Sequence, residues 1–200
     1  INERGKNDLN SHTDNNLLNK KSNGSQSPIT ESKRTLIKGQ VDKNLISDLI
    51  KKGEGEQVEF KSSLRWHLHK KCDDKEITRI ILKTVAAFMN SRGGIILIGV
   101  NDNGEILGLD DSFKNIDKAM LYYADMFNNH LSPHLTHFCK NEIVDVNGKK
   151  VMVLSIDKSS EAVFFQYKDP NKHSEFWIRQ SARKHQLDPR DMYLYIKNHF

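Results

Sequence analysis

Apolar residues recur along this chain with two periods, and the places where the period changes mark its elements. Leu45, Ile46, Leu49 and Ile50 share one side at helical spacing, so a short helix is expected over Lys43–Lys52, closed by Gly53. Residues 57–63 alternate instead: Val58, Phe60 and Ser62 lie on one face, Glu59 and Lys61 on the other, as in a strand with one wet side. Asp73 followed three residues later by Glu76 reads as a capping box. The helix it opens carries its apolar stripe on Ile77, Ile80, Ile81, Thr84, Val85, Phe88 and Met89, and Gly93-Gly94 stops it. Residues 95–100 (Ile-Ile-Leu-Ile-Gly-Val) are almost wholly apolar, the composition of a central strand covered on both faces. Asn103-Gly104 is a type I′ hairpin signal leading into a short strand at 105–109.

Ile116, Ala119, Met120, Tyr123, Met126 and Phe127 mark a second amphipathic helix, broken by Ser132-Pro133. A strand over 135–146 is joined by Asn147-Gly148 to one over 149–156, and short strands follow at 162–166 and 176–180. Asp188-Pro189 is an N-cap with proline at the first helical position, opening a closing helix through Tyr193 and Ile196. The pattern predicts an α/β (α+β) domain: a mixed, largely antiparallel sheet, two main helices packed on it, and a C-terminal helix. It is assigned to residues 42–200. Residues 1–41 hold seven Asn and no aromatic, and the first aromatic of the chain is Phe60. Such a stretch buries too little apolar surface to offset its ordering entropy and is read as a disordered linker or tail, with an upstream domain expected beyond it.

Net charge is +5, but much of it lies in the tail: residues 1–43 carry 8 Lys or Arg against 5 Asp or Glu, leaving 23 against 21 for residues 44–200. Overall basicity is therefore weak evidence for a nucleic-acid partner, and clustering decides. Cys72 and Cys139 form no CxxC pair and fit neither a disulfide scaffold nor a zinc ribbon. No apolar run reaches bilayer-spanning length, so no membrane partner and a cytoplasmic location are expected.

Two glycines and three carboxylates crowd the segment Gly53-Glu54-Gly55-Glu56-Gln57-Val58-Glu59-Phe60-Lys61. Glu59 and Lys61 are two apart on a strand and share a face; Glu54 sits on a glycine-flanked loop able to fold back toward Glu59; Asp102 follows the central strand, where α/β sheets gather functional groups. Phosphodiester hydrolysis needs an oxygen-rich divalent-metal site and a cation facing the phosphate, which these residues would supply. Spacing alone leaves the alternative open: a mixed-charge strand edge and an Asn-Asp-Asn-Gly turn have ordinary structural reasons. Arg65, Lys70 and Lys71 beside Trp66, and Arg179, Arg183 and Lys184 beside Trp177, are basic clusters with an aromatic suited to base stacking, or else solvated cations beside core tryptophans. His130, His134, His137 and Cys139 fit no standard zinc spacing. No GxGxxG or GxxxxGK[ST] loop occurs.

Three blocks in order, Val58-Glu59-Phe60-Lys61-Ser62, then Ala86-Ala87-Phe88-Met89-Asn90-Ser91-Arg92-Gly93-Gly94, then Leu97-Ile98-Gly99-Val100-Asn101-Asp102-Asn103-Gly104 with Ile106 and Gly108, resemble the signature of the Schlafen AlbA-type domain. Glu175-Phe176-Trp177-Ile178-Arg179 and the closing helix are similar to its stand-alone prokaryotic members. The resemblance implies a Schlafen-core-like lobe and an endoribonuclease of structured RNA such as tRNA. Glu54, Glu59 and Asp102 would hold Mg²⁺ or Mn²⁺, and Lys61 would steady the phosphate. It also implies a homodimer, since animal relatives carry two such lobes. Two other classes stand beside the enzyme: a non-catalytic DNA- or RNA-binding regulatory module, and a dimerising scaffold.

Overall fold

The computed structural model describes residues 41–67, 72–109, 113 and 115–200. Asp42 is extended, and its carboxylate accepts the N–H groups of Asn44 and Leu45, so helix α1 (Lys43–Lys52) begins with two orphan donors satisfied. Gly53 closes it at φ 77°, a conformation that costs glycine little. Strand β1 covers Val58–Lys61, and the short pair β2 (Trp66–His67) and β3 (Cys72–Asp73) follows. Helix α2 (Lys75–Met89) is capped by Asp74 rather than Asp73: the Asp74 carboxylate accepts from the Glu76 N–H. Strand β4 (Gly94–Ile98) is buried at every position. Helix α3 (Ile116–His130) starts at an Asn115 cap that accepts the Lys118 N–H.

The chain continues through a 3₁₀ turn at Pro133–Phe138, strands β5 (Cys139–Val146), β6 (Lys149–Ile156), β7 (Phe164–Phe165), β8 (Glu175–Gln180) and β9 (Arg183–Gln186), and helix α4 (Pro189–His199). The 3₁₀ turn replaces the start of the strand expected from 135, because Pro133 suits a first helical turn and gives no ladder donor.

Four strands form the main sheet in the order β1-β4-β6-β5, with β1 and β4 parallel and the other pairs antiparallel. A parallel pair needs a crossover, and α2 supplies it. Ile96, Ile98, Met152, Leu154 and Ile156 face a core shared with Ile81, Val85, Phe88 and Met89 of α2 and with Tyr123 and Phe127 of α3. The opposite face, Val58, Phe60, Ile95, Leu97, Val151 and Val153, packs on Ile46 and Leu49 of α1. The mixed α/β architecture expected from the sequence is thus the one formed, with β4 central. A separate sheet, β7-β8-β9, lies against α2.

The two Asn-Gly signals part ways. At Asn147-Gly148 both residues have positive φ (55° and 82°) between the paired Val146 and Lys149, a type I′ turn. At Asn101–Gly104 only Gly104 does, so that turn is not type I′; the Asn101 carboxamide oxygen accepts the N–H groups of Asn103 and Glu105 and organises it. The strand expected at 105–109 reduces to a single bridge, Val100 to Ile106. Gly99 stands at φ 98°, its carbonyl accepts both the Leu107 and Gly108 N–H groups, and a Cβ on it would lie 2.8 Å from the Gly108 carbonyl carbon. Gly99→Ala is expected to lower stability by about 1–3 kcal/mol through backbone strain and overpacking, read as a reduced urea midpoint with an unchanged m-value.

Candidate functional site

Alternation along β1 turns Glu59 and Lys61 toward the α2 side of the sheet, where the sequence pattern suggested a wet surface. The structure covers it: Glu59 is 9 % exposed. Its cover is the odd-numbered face of β8. Arg179, itself 6 % exposed, donates from Nη2 to Glu59 Oε2 at 2.7 Å and to the Gly55 carbonyl at 2.7 Å. Its guanidinium also lies over the Phe88 ring, 5.1 Å from the centroid. Lys61 Nζ takes the other carboxylate oxygen, Oε1, at 2.6 Å. Each oxygen of Glu59 therefore holds a cation, as a buried carboxylate requires. Burial alone would raise the Glu59 carboxyl; Lys61 and then Arg179 outweigh it and hold it below the ordinary value.

One carboxylate serves more than two cations. Lys184 lies directly across the β8–β9 ladder from Arg179, and its Nζ reaches Thr84 Oγ1 on α2 at 3.4 Å. Like charges opposite one another on a sheet repel. Burial, joined by Lys61, Arg179 and Lys83 and opposed by Glu59, holds the Lys184 ammonium below the ordinary lysine value. Lys83, one residue from Thr84, has its own partner in Glu175 at 3.0 Å, and the Phe165, Tyr167 and Trp177 rings stand 5.1, 5.3 and 5.5 Å from its Nζ. Glu175 also accepts from Trp177 Nε1 and the Tyr167 hydroxyl, each at 2.8 Å.

The buttress behind this cluster is the turn after α2. The carboxamide of the fully buried Asn90 donates to the carbonyls of Val163 and Trp177 and accepts from the Val163 N–H; its own carbonyl accepts from the Tyr195 hydroxyl. Ser91 Oγ accepts the Arg179 N–H at 2.8 Å. Strand β8 is thereby pinned to the end of α2, which fixes the reach of Arg179.

The remaining expected residues are spread out. Glu54 spends a carboxylate oxygen on the Phe60 N–H, 2.7 Å away. Asp102 is exposed at the tip of the Asn101–Gly104 turn. Among the described residues, no group of three His, Cys, Asp or Glu is placed to hold a metal ion. Mg²⁺ and Mn²⁺ want several free oxygens at close, near-octahedral range; with Glu59 held by two cations and Glu54 by the backbone, the donors expected for them do not fit in this arrangement. The Arg65 guanidinium lies over the Phe113 and Tyr122 rings, at 4.5 and 5.2 Å. Arg183 is exposed on β9, and Lys70 and Lys71 fall outside the described residues. Of the expected residues, the fold brings together Glu59, Lys61, Arg179 and Lys184, with Arg179 a buried counter-ion where surface contact was expected. Sequence reading passed over Lys83, and over Asn90 and Ser91 as latches; the alternation of Glu175, Trp177 and Arg179 on one strand face was the signal available.

The histidines tempting as metal ligands have other partners. His130 Nδ1 is 2.6 Å from the Gln166 carbonyl with its ring stacked on Phe165, and His134 pairs with Glu161 at 2.7 Å. The Cys139 thiol, bonded to the Tyr123 hydroxyl, is pushed up to about 12, chiefly by burial.

Comparison with known proteins places the chain in a family. The family model described as Schlafen, AlbA_2 matches residues 54–188, a stretch that runs from Glu54 through β1, α2, β4 and the β8–β9 hairpin. The chain belongs to the Schlafen AlbA_2 family. A curated relative, the uncharacterized ATP-binding protein of Ureaplasma parvum serovar 3, is 33% identical over 114 residues, 54% of this chain and 29% of that protein. The crystal structure of the DIP2311 protein from Corynebacterium diphtheriae superposes with a TM-score of 0.50 at 17% identity, over 72% of this chain and 24% of that one. The second likeness supports the fold alone, and this Schlafen AlbA_2 chain spans under a third of either protein. None of its described helices is long and apolar enough to cross a membrane.

A carboxyl whose folded-state value lies below its unfolded one stabilises the fold above the unfolded value and loses that contribution as pH falls through the folded one. Glu59 and Glu175 are both of this kind. Urea midpoints of the wild type should therefore fall as pH drops below the ordinary carboxyl value of 4.5, and less steeply in Glu59→Gln. Near neutral pH, Glu59→Ala should cost about 3–5 kcal/mol, because Arg179 is left buried without its counter-ion.

Proposed function

We propose that this domain binds nucleic acid through its phosphodiester backbone, with Lys61 and Lys184 contacting phosphate and Glu59 and Arg179 holding them in position. The observation that carries this reading is the charge imbalance: Lys61, Arg179 and Lys184 gather around the single carboxylate of Glu59. Cross-strand repulsion between Arg179 and Lys184 costs about 0.2–1 kcal/mol, and an incoming phosphate oxygen relieves it. Trp177, half-buried beside this cluster, adds an aromatic edge of the kind that accompanies nucleic-acid contacts. The partner class is RNA or DNA, and a tRNA-like RNA is the first substrate to try.

Endoribonuclease activity, which family resemblance implies, needs Glu54, Glu59 and Asp102 to gather on a divalent cation. The ion pairs of Glu59 and the backbone bond of Glu54 stand against that gathering, so binding without turnover is the better-supported reading.

The test is fluorescence anisotropy with labelled tRNA and a DNA duplex across a salt series. With two to three phosphate contacts, affinity should fall about 10–50-fold between about 50 and 200 mM salt. Lys61→Ala and Lys184→Ala should each weaken binding and lower the salt slope by about one, and Lys51→Ala on α1 should do neither. Salt-independent binding, or affinity untouched by both variants, would overturn the reading. Gel analysis of the same RNA with Mg²⁺ or Mn²⁺ is the second arm: cleavage abolished by Glu59→Ala would replace the binding module with the metal-dependent ribonuclease. Competition by ATP at concentrations far below those of RNA would move the cluster to nucleotide binding.

A further inference from the structure

The even-numbered face of β8 looks away from the Glu59 cluster and borders a cleft of about 650 Å³, closed on its other sides by α4 and the turn after α2. Ligand sites commonly enclose about 300–1,000 Å³, so the space suits one nucleotide unit. Its chemistry suits one too. Arg92 and Lys158 line it along with Arg179, and among the described residues Glu56 is the one acid on its wall, paired at 3.1 Å with Arg92. Ile178 adds an apolar patch.

On the α4 wall, Tyr195 and His199 are one helical turn apart and stack ring on ring, centroids 3.8 Å apart and planes 4° from parallel. A stacked pair keeps an outer π-face at each end. Phe176 packs edge-on against Tyr195, centroids 5.9 Å apart and planes at 60°, while His199 at the other end of the pair is exposed. Lys158 Nζ sits 3.4 Å from the His199 carbonyl, so a cation stands beside the platform. A planar surface flanked by cations is the arrangement by which proteins hold single-stranded nucleic acid: bases stack and phosphates pair with Lys or Arg. Arg179 joins the two places through the strand itself, its buried side chain in the Glu59 cluster and its residue on the cleft wall.

We infer that this cleft is a second subsite for single-stranded nucleic acid, in which one base stacks on the Tyr195–His199 pair and its phosphate meets Lys158 and Arg92. The inference rests on the backbone-binding reading above and deepens it by selecting unpaired strands. A duplex keeps its bases stacked inside and cannot offer one to the platform.

The probe is a hexa-adenylate RNA carrying 2-aminopurine at one position, compared with the same strand in a duplex. Single-strand binding by the wild type should change the 2-aminopurine emission as the base stacks. His199→Ala and Lys158→Ala, both at exposed positions, should weaken single-strand binding about five- to ten-fold and leave duplex binding unchanged, and His199→Phe should restore it. If neither variant alters single-strand binding while Lys61→Ala and Lys184→Ala do, the subsite is overturned and the backbone reading stands. If the wild type binds neither strand nor duplex, both fall. Competition by free AMP as strong as that of the strand overturns the strand assignment in favour of a mononucleotide site.

Discussion

A carboxylate carried into the layer between a sheet and a helix must bring its cations with it. At Glu59 that demand fixes much of the architecture. Lys61 comes from the same strand and answers one oxygen; Arg179 comes from β8 and answers the other. For Arg179 to reach, β8 has to lie close against α2, and Asn90 and Ser91 hold it there through hydrogen bonds to Val163, Trp177 and Arg179. The second sheet is thus anchored to the first by buried polar groups, while the apolar layers on the two faces of the main sheet supply bulk cohesion.

The same demand leaves a surplus. Satisfying Glu59 takes two cations, yet the β8–β9 ladder sets Lys184 opposite Arg179, and α2 contributes Lys83 nearby. Lys83 is matched by Glu175 and enclosed by aromatic rings, so its charge is spent within the fold. The charge of Lys184 is not matched in that way. A half-buried ammonium near two other cations raises local positive potential well beyond what the nearly balanced charge of residues 44–200 would suggest, and low-dielectric surroundings strengthen its pull on an anion.

Periodicity made the scaffold legible. The α2 stripe from Ile77 to Met89 and the unbroken apolar run of β4 dictated a helix and a central strand, and both formed where expected. The motif blocks were equally informative about family. What the pattern concealed were contacts between elements distant in sequence. Glu59 and Lys61 looked like the wet side of an edge strand, because alternation reports which residues share a face and not what comes to cover it. Arg179 and Arg183 looked alike as surface cations; their four-residue spacing across a two-residue turn sends one inward to Glu59 and leaves the other exposed. Glu54, Glu59 and Asp102 follow one another at suggestive spacing, but the loop carboxylate of Glu54 caps a backbone N–H and Asp102 stands exposed at a turn tip.

The bond from Arg179 to the Gly55 carbonyl joins residues 124 positions apart. At about 5–20 residues per second, a ribosome needs roughly 6–25 s to make that much chain. Through that interval Arg179 is not yet part of the chain, and of the two ion-pair partners of Glu59 Lys61 alone is present. The ion pair that covers the α2 side of β1 therefore cannot form before residue 179 has been made.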